Sequence, residues 1–199
     1  MNIDILLFSG FEPLDVFGPV EAFVHTDGVK VQYFSQNGGQ ITTFNNLKVD
    51  TKPFNHINPN DTILLPGGAG TRPLVKNTKF VSELGKLAAA AKYVLTVCTG
   101  SAVLARTPLL NGKKATSNKN AFDWVKSQND QVDWQGNARW VRDGKYYTAS
   151  GISAGTDMAL GFISDQFGKD KAQALAKQME YTWNADPKND PFAVTKQIE

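Results

Sequence analysis

The chain has 199 residues, 41% hydrophobic and 20% charged, a length and composition that predict one globular domain over 1–199. Its 21 basic and 19 acidic residues are interspersed and leave a formal charge of +2, so there is no basic stripe and nucleic acid is not expected as a partner. No apolar run approaches the ~20 residues that span a bilayer, the N-terminus has no basic signal-like region, and the single cysteine excludes an intrachain disulfide. A cytoplasmic protein with no membrane partner is expected.

Residues 3–8 are a short apolar run and predict a buried strand. Residues 11–24 read as a helix, with Gly18-Pro19 expected to kink or restart it. Residues 29–35 alternate as a strand, Asn37-Gly38-Gly39 predict a turn, and 41–51 an extended pair. Residues 62–65 predict another buried strand, ended by Pro66-Gly67-Gly68. Leu74, Val81, Leu84, Leu87, Ala88 and Ala91 have helical spacing, which predicts a helix over 74–92. The β-rich run 93–97 leads into Cys98, followed by a small-residue helix over 100–105. A short strand over 113–116 and a helical turn or two over 121–127 come next. Residues 139–149 predict a hairpin turning at Asp143-Gly144. Helices over 154–167, with Ser153 as N-cap, and 170–183 precede an irregular Asn-, Asp- and Pro-containing tail. Strands alternating with helices predict a mostly parallel sheet covered on both faces, with ligands at the carboxyl ends of its strands.

Three segments fall at such ends. Cys98 stands where a strand runs directly into a helix, the geometry of a nucleophile elbow. A helix N-terminus aimed at the sulfur is expected to lower its pKa below the free value of about 8.5. The alternative is an inert buried cysteine. Gly67 and Gly68, after a buried strand, have backbone N–H groups suited to holding an oxyanion, although a plain strand-to-helix turn has the same composition. Asp15 sits among Leu14, Val16 and Phe17, surroundings that raise a carboxyl pKa and suit it to hold or donate a proton beside the cysteine. Glu12 fits an ordinary acid at a helix N-terminus. The two histidines, His25 and His56, do not flank the cysteine, and with one cysteine they are too few for a metal site; no metal or cofactor is expected. Gly151-Ile152-Ser153-Ala154-Gly155 matches G-x-S-x-G in letters, but a serine triad finds little support with two histidines.

Residues 14–19, 65–68, 97–100, 139–144 and 150–160 together resemble the ThiJ/PfpI (class I glutamine amidotransferase-like) superfamily, in the family's order and over nearly the whole chain. The resemblance implies an α/β, flavodoxin-like three-layer sandwich and a likeness to the isonitrile hydratase branch, which carries Asp in the Leu-Asp-x-x-Gly-Pro segment and Thr after the cysteine. It implies a catalytic set of Cys98, Asp15 and Thr99, with Gly67, Gly68 and Thr99 at the substrate and oxyanion position. A small-molecule substrate and a homodimer are expected, with Phe17 and Phe23 of the first helix on the dimer face. The alternatives are a protease- or amidase-related enzyme, a ketoaldehyde-processing enzyme, or a cysteine redox sensor. Protease-like members have His after the nucleophile, where this chain has Thr99. Many relatives carry His-Trp where this chain has Asn118-Lys119, which is expected to alter the substrate.

Overall fold

The structure is a computed structural model that describes residues 1–43 and 45–193. Ten strands and seven α-helices alternate along the described chain. An eight-stranded sheet runs in the order β3 (Asn37–Thr42), β4 (Lys48–Pro53), β2 (Lys30–Ser35), β1 (Asn2–Leu6), β5 (Thr62–Leu65), β6 (Tyr93–Thr96), β10 (Tyr146–Ala149), β9 (Trp140–Asp143). The central strands β2, β1, β5, β6 and β10 are mutually parallel; the pairs β3–β4 and β9–β10 are antiparallel. Every residue of β5 and of β10 is buried, as strands covered on both faces require. One helical group is α1 (Pro13–Val24), α6 (Ala154–Phe167) and α7 (Lys169–Gln178), with α6 packed on both others. The second group is centred on α4 (Gly100–Ala105), which packs against α2 (Thr71–Leu74), α3 (Thr78–Ala90) and α5 (Phe122–Lys126). This is the flavodoxin-like three-layer arrangement.

Several boundaries differ from the sequence reading. Helix α1 runs unbroken through Pro19, and Gly18 admits the Thr156 hydroxyl of α6 where any Cβ would overlap it. Gly38 and Gly39 lie inside β3 with φ of +72° and +82° and do not form a separate turn. The extended pair 41–51 corresponds to β3 and β4, although Phe44 between them lies outside the described residues. The helix expected over 74–92 is two: Asn77 accepts a hydrogen bond from the Phe80 N–H at 3.0 Å and starts α3 afresh. Ser153 makes no capping bond; its hydroxyl accepts from Arg139. Helix α7 ends at Gln178, short of the expected 183, because Glu180 turns left-handed (φ 48°) and Asp157 binds the chain beyond. The short strand expected over 113–116 is β7 (Lys114–Ala115); its pairing with β8 (Asp133–Trp134) in a second sheet was not predicted. Phe23 is fully buried and stacks edge-on against Phe162 at 6.2 Å, so it is not on a dimer face.

Asp4 interrupts the apolar run of β1. It is fully buried, and neither carboxyl oxygen has a hydrogen-bond partner. Burial, with Asp61 nearby, pushes its pKa from 3.8 up to about 7. A raised folded-state pKa means stability that is present below the unfolded value and lost as pH rises through the folded one. Asp4→Asn is therefore expected to stabilise the fold by about 1–3 kcal/mol near pH 8 and to change little near pH 4. Urea unfolding at the two pH values measures this, and a variant less stable than the parent near pH 8 contradicts it.

Candidate active site

The parallel strands β1, β5, β6 and β10 all end on the same side, where Gly67, Cys98 and Ser150 lie on the segments after β5, β6 and β10 and Asp15 in the first turn of α1, the helix after β1. Cys98 has φ +56°, a left-handed conformation that costs a non-glycine residue about 1–2 kcal/mol. Its surroundings enforce that turn. The Cys98 N–H donates to the carbonyls of Ala149 (3.2 Å) and Ser150 (3.1 Å). Its carbonyl accepts from the Ser117 hydroxyl at 2.8 Å and the Ser101 hydroxyl at 3.1 Å. Gly100 then passes beneath β5 so closely that an added Cβ would overlap the Leu65 carbonyl oxygen. The elbow is thus held by three loops from different parts of the chain.

Asp15 is fully buried, and its Oδ2 accepts the Gly67 N–H at 2.7 Å. Its Oδ1 has no hydrogen-bond partner, and the Cys98 thiol lies beside the carboxyl. Burial is the largest influence on Asp15 and raises its pKa from 3.8 to about 8; the Gly67 N–H and Cys98 pull the other way, and Glu12 adds to the rise. The Cys98 thiol is also pushed up, first by burial and then by the Asp15 charge, against opposing contributions from Thr99 and Asn118. This overturns the expectation of a thiol more acidic than the free group. Helix α4, only six residues long, does not offset removal of the sulfur from water. Burial thus favours the protonated form of both groups.

Thr99 follows the cysteine as the residue before α4. Its hydroxyl oxygen accepts the Gly68 N–H at 3.1 Å and lies 3.0 Å from the Thr71 hydroxyl. Gly68, at φ +120°, is packed against the backbone of Gly10 and Glu12, a place only glycine fits. The Gly67 and Gly68 N–H groups are therefore engaged by Asp15 and Thr99, and they fix those side chains in this structure. Asn118 extends over Gly151 and faces the sulfur. Sequence reasoning named Asn118 only as a departure from relatives and missed Ser101, Ser117 and Thr71. Of the remaining candidates, His25 pairs with Glu21 and Gln178 on the surface, and Ser153 has Arg139 as its partner and no histidine.

A surface groove of about 1290 Å³, lined in part by Trp134, Trp140, Trp183 and Lys114, contains none of the residues around Cys98. The left-handed elbow at Cys98 and the buried acid beside it lie apart from that groove. Among the described residues, no helix is long and apolar enough to cross a membrane.

Comparison with known proteins identifies relatives of the whole fold. The DJ-1/PfpI family model matches residues 1–165. Isonitrile hydratase of Pseudomonas putida is 34% identical over 186 residues, covering 91% of this chain and 78% of that protein. Deglycase TK1284 of Thermococcus kodakarensis is 30% identical over 152 residues, covering 75% of this chain and 89% of that protein. The crystal structure of a ThiJ/PfpI family protein from Pseudomonas syringae has a TM-score of 0.82 at 28% identity, covering 90% of this chain and 74% of that one.

Proposed function

Because the chain belongs to the DJ-1/PfpI family, we propose that it is a cysteine-dependent enzyme that hydrates an isonitrile, R–NC, to the N-substituted formamide. The observation that carries this reading is the Asp15 carboxyl, fully buried beside the Cys98 thiol and held there by the Gly67 N–H, with Thr99 next in sequence. The terminal carbon of an isonitrile bears a lone pair, so the reaction calls for a proton donor as much as for a nucleophile. A carboxyl with a pKa near 8 still holds its proton at neutral pH.

The steps balance without a cofactor. Asp15 gives its proton to the terminal carbon as the sulfur of Cys98 bonds to that carbon. The thiol proton passes to the Asp15 carboxylate, leaving the thioimidate R–N=CH–S–Cys98 and a protonated Asp15. Water then adds to the C=N carbon, with Asp15 protonating the nitrogen and taking a proton from the water. Collapse of R–NH–CH(OH)–S–Cys98 breaks the C–S bond, releases the formamide and returns the hydroxyl proton to sulfur through Asp15. Thr99 orients the reacting groups beside the sulfur.

A redox-sensor reading is disfavoured, because oxidation of cysteine follows thiolate character and exposure, and Cys98 is 6% exposed with its thiol pushed up. The matched deglycase keeps a second enzymatic reading in view. A substrate panel separates them: an alkyl isonitrile, a ketoaldehyde-glycated amine and a simple amide, with products identified by mass spectrometry. Formamide from the isonitrile is the expected result. Turnover of the glycated amine with none of the isonitrile would overturn the proposal.

A further inference from the structure

The Cys98 site is backed by a buried charge cluster to which the tail of the chain contributes Asp190. Asp190 has a fully buried side chain and lies between two cations that are themselves buried, Lys119 (side chain 5% exposed) and Arg139 (6%). Lys119 Nζ is 3.6 Å from Asp190 Oδ2, and Arg139 Nη1 is 3.5 Å from Asp190 Oδ1. A second acid, Asp157, takes the other side of Arg139 at 2.8 Å, so two acids balance two cations. The Asp190 backbone N–H donates to the Asn137 carbonyl at 3.0 Å, which fixes where the tail crosses.

Each cation reaches a different loop of the site. Lys119 Nζ donates to Thr116 Oγ1 (2.7 Å), the Ala138 carbonyl (2.8 Å) and the Ser117 carbonyl (3.3 Å). That loop supplies the Ser117 hydroxyl on the Cys98 carbonyl and the Asn118 side chain facing the sulfur. Arg139 Nη2 donates to Ser153 Oγ at 3.1 Å, and its carbonyl accepts the Ser150 N–H at 2.9 Å. That second loop supplies the Ser150 carbonyl bonded by the Cys98 N–H and the Gly151 surface under Asn118. Asp190 lies beyond the family match, which ends at residue 165.

We propose that Asp190 is a positioning residue for Cys98, binding Lys119 and Arg139 together so that the two loops they hold keep Asn118 against the sulfur. The proposal rests on Cys98 being the reactive group but not on which substrate it takes. Asp190 touches neither the sulfur nor a substrate. Its effect runs through Lys119 to residues 116–118 and through Arg139 to residues 150–153. Without its charge, Lys119 is a buried cation lacking a compensating acid, which favours either loss of its proton or departure from the site.

The test reads the side-chain amide resonance of Asn118 by NMR, assigned with Asn118→Ala. With Asp190 present, Cys98→Ala is expected to displace that resonance, because the amide has lost its neighbour. In Asp190→Asn the displacement is expected to be lost, and Asp190→Glu should restore part of it. Lys119→Met cuts the same connection from the other side and replaces Asp190→Asn if that variant does not fold. A full displacement retained in folded Asp190→Asn or Lys119→Met would make the cluster merely structural and overturn the proposal. So would the absence of any displacement when Asp190 is present. Because no substrate is used, these results stand apart from success or failure with isonitriles.

Discussion

Asp15→Asn is expected to lose about a hundred- to ten-thousand-fold in turnover while remaining folded, the range typical of a general acid–base group. The amide has the shape of the carboxyl and keeps an oxygen for the Gly67 N–H. Its NH2 takes the place of Oδ1 beside the Cys98 thiol, while the Gly67 bond is kept. What disappears is the transferable proton and the negative charge that replaces it. Losing that charge removes one of the influences that push the Cys98 thiol up. The variant should therefore alkylate faster with iodoacetamide above pH ~8, where the parent's Asp15 is ionised, even as turnover collapses. Opposite movements of the two rates distinguish a lost proton carrier from a damaged site, in which both would fall. Glu12→Gln is the control: Glu12 is only partly buried and makes no side-chain hydrogen bond at the site, so little change is expected. An inactive Glu12→Gln beside an active Asp15→Asn would reverse the assignment.

Gly100→Ala is expected to cost about 3 kcal/mol of stability or more, at the upper end of overpacking penalties. The added methyl would overlap the Leu65 carbonyl oxygen and stand 2.7 Å from that of Pro66. Both are backbone atoms at the end of β5, so no side-chain rotation relieves the contact, and the elbow or the strand must move. Gly85→Ala provides the contrast. Gly85 lies inside α3, and its added methyl would rest 3.5 Å from the Thr107 side chain, an ordinary contact. Alanine is the better helix former there by about 0.5–1 kcal/mol. Denaturant midpoints for the two variants should move in opposite directions. Equal and small shifts would mean that the close approach of Gly100 to β5 does not constrain the elbow.

The parts of this molecule that were legible in its sequence are those where one local signal decides the outcome. The runs Thr62–Leu65 and Tyr93–Thr96, rich in apolar and β-forming residues, became central strands. Cys98 between a strand and small residues marked the elbow, and an acid surrounded by Leu14, Val16 and Phe17 marked a buried carboxyl. The readings that failed depended on partners distant in sequence. Apolar spacing over 74–92 carried no sign that Asn77 would cap a new helix. The last helix stops early because Asp157 binds the Tyr181 hydroxyl and the Asn184 N–H, groups 24 and 27 residues away. Ser117 reaches the Cys98 carbonyl from 19 residues away, with nothing in its own neighbourhood to announce the role. The acidity of Cys98 was misjudged for a related reason: helix proximity is visible in sequence, whereas burial beside Asp15 is a property of the assembled loops.

The reaction proposed for Cys98 requires that the sulfur itself bond to carbon, so the most direct measurement is the initial rate of formamide formation from an alkyl isonitrile by Cys98→Ala. The methyl group fits the space of the thiol and leaves Asp15, Thr99 and the Gly67 contact in place. The expected rate is that of the buffer alone, with the unsubstituted protein forming a thioimidate adduct of one isonitrile mass in a rapidly quenched sample. Formamide formation by Cys98→Ala within about tenfold of the unsubstituted protein, a barrier change of only ~1.4 kcal/mol, would contradict a covalent role for the sulfur.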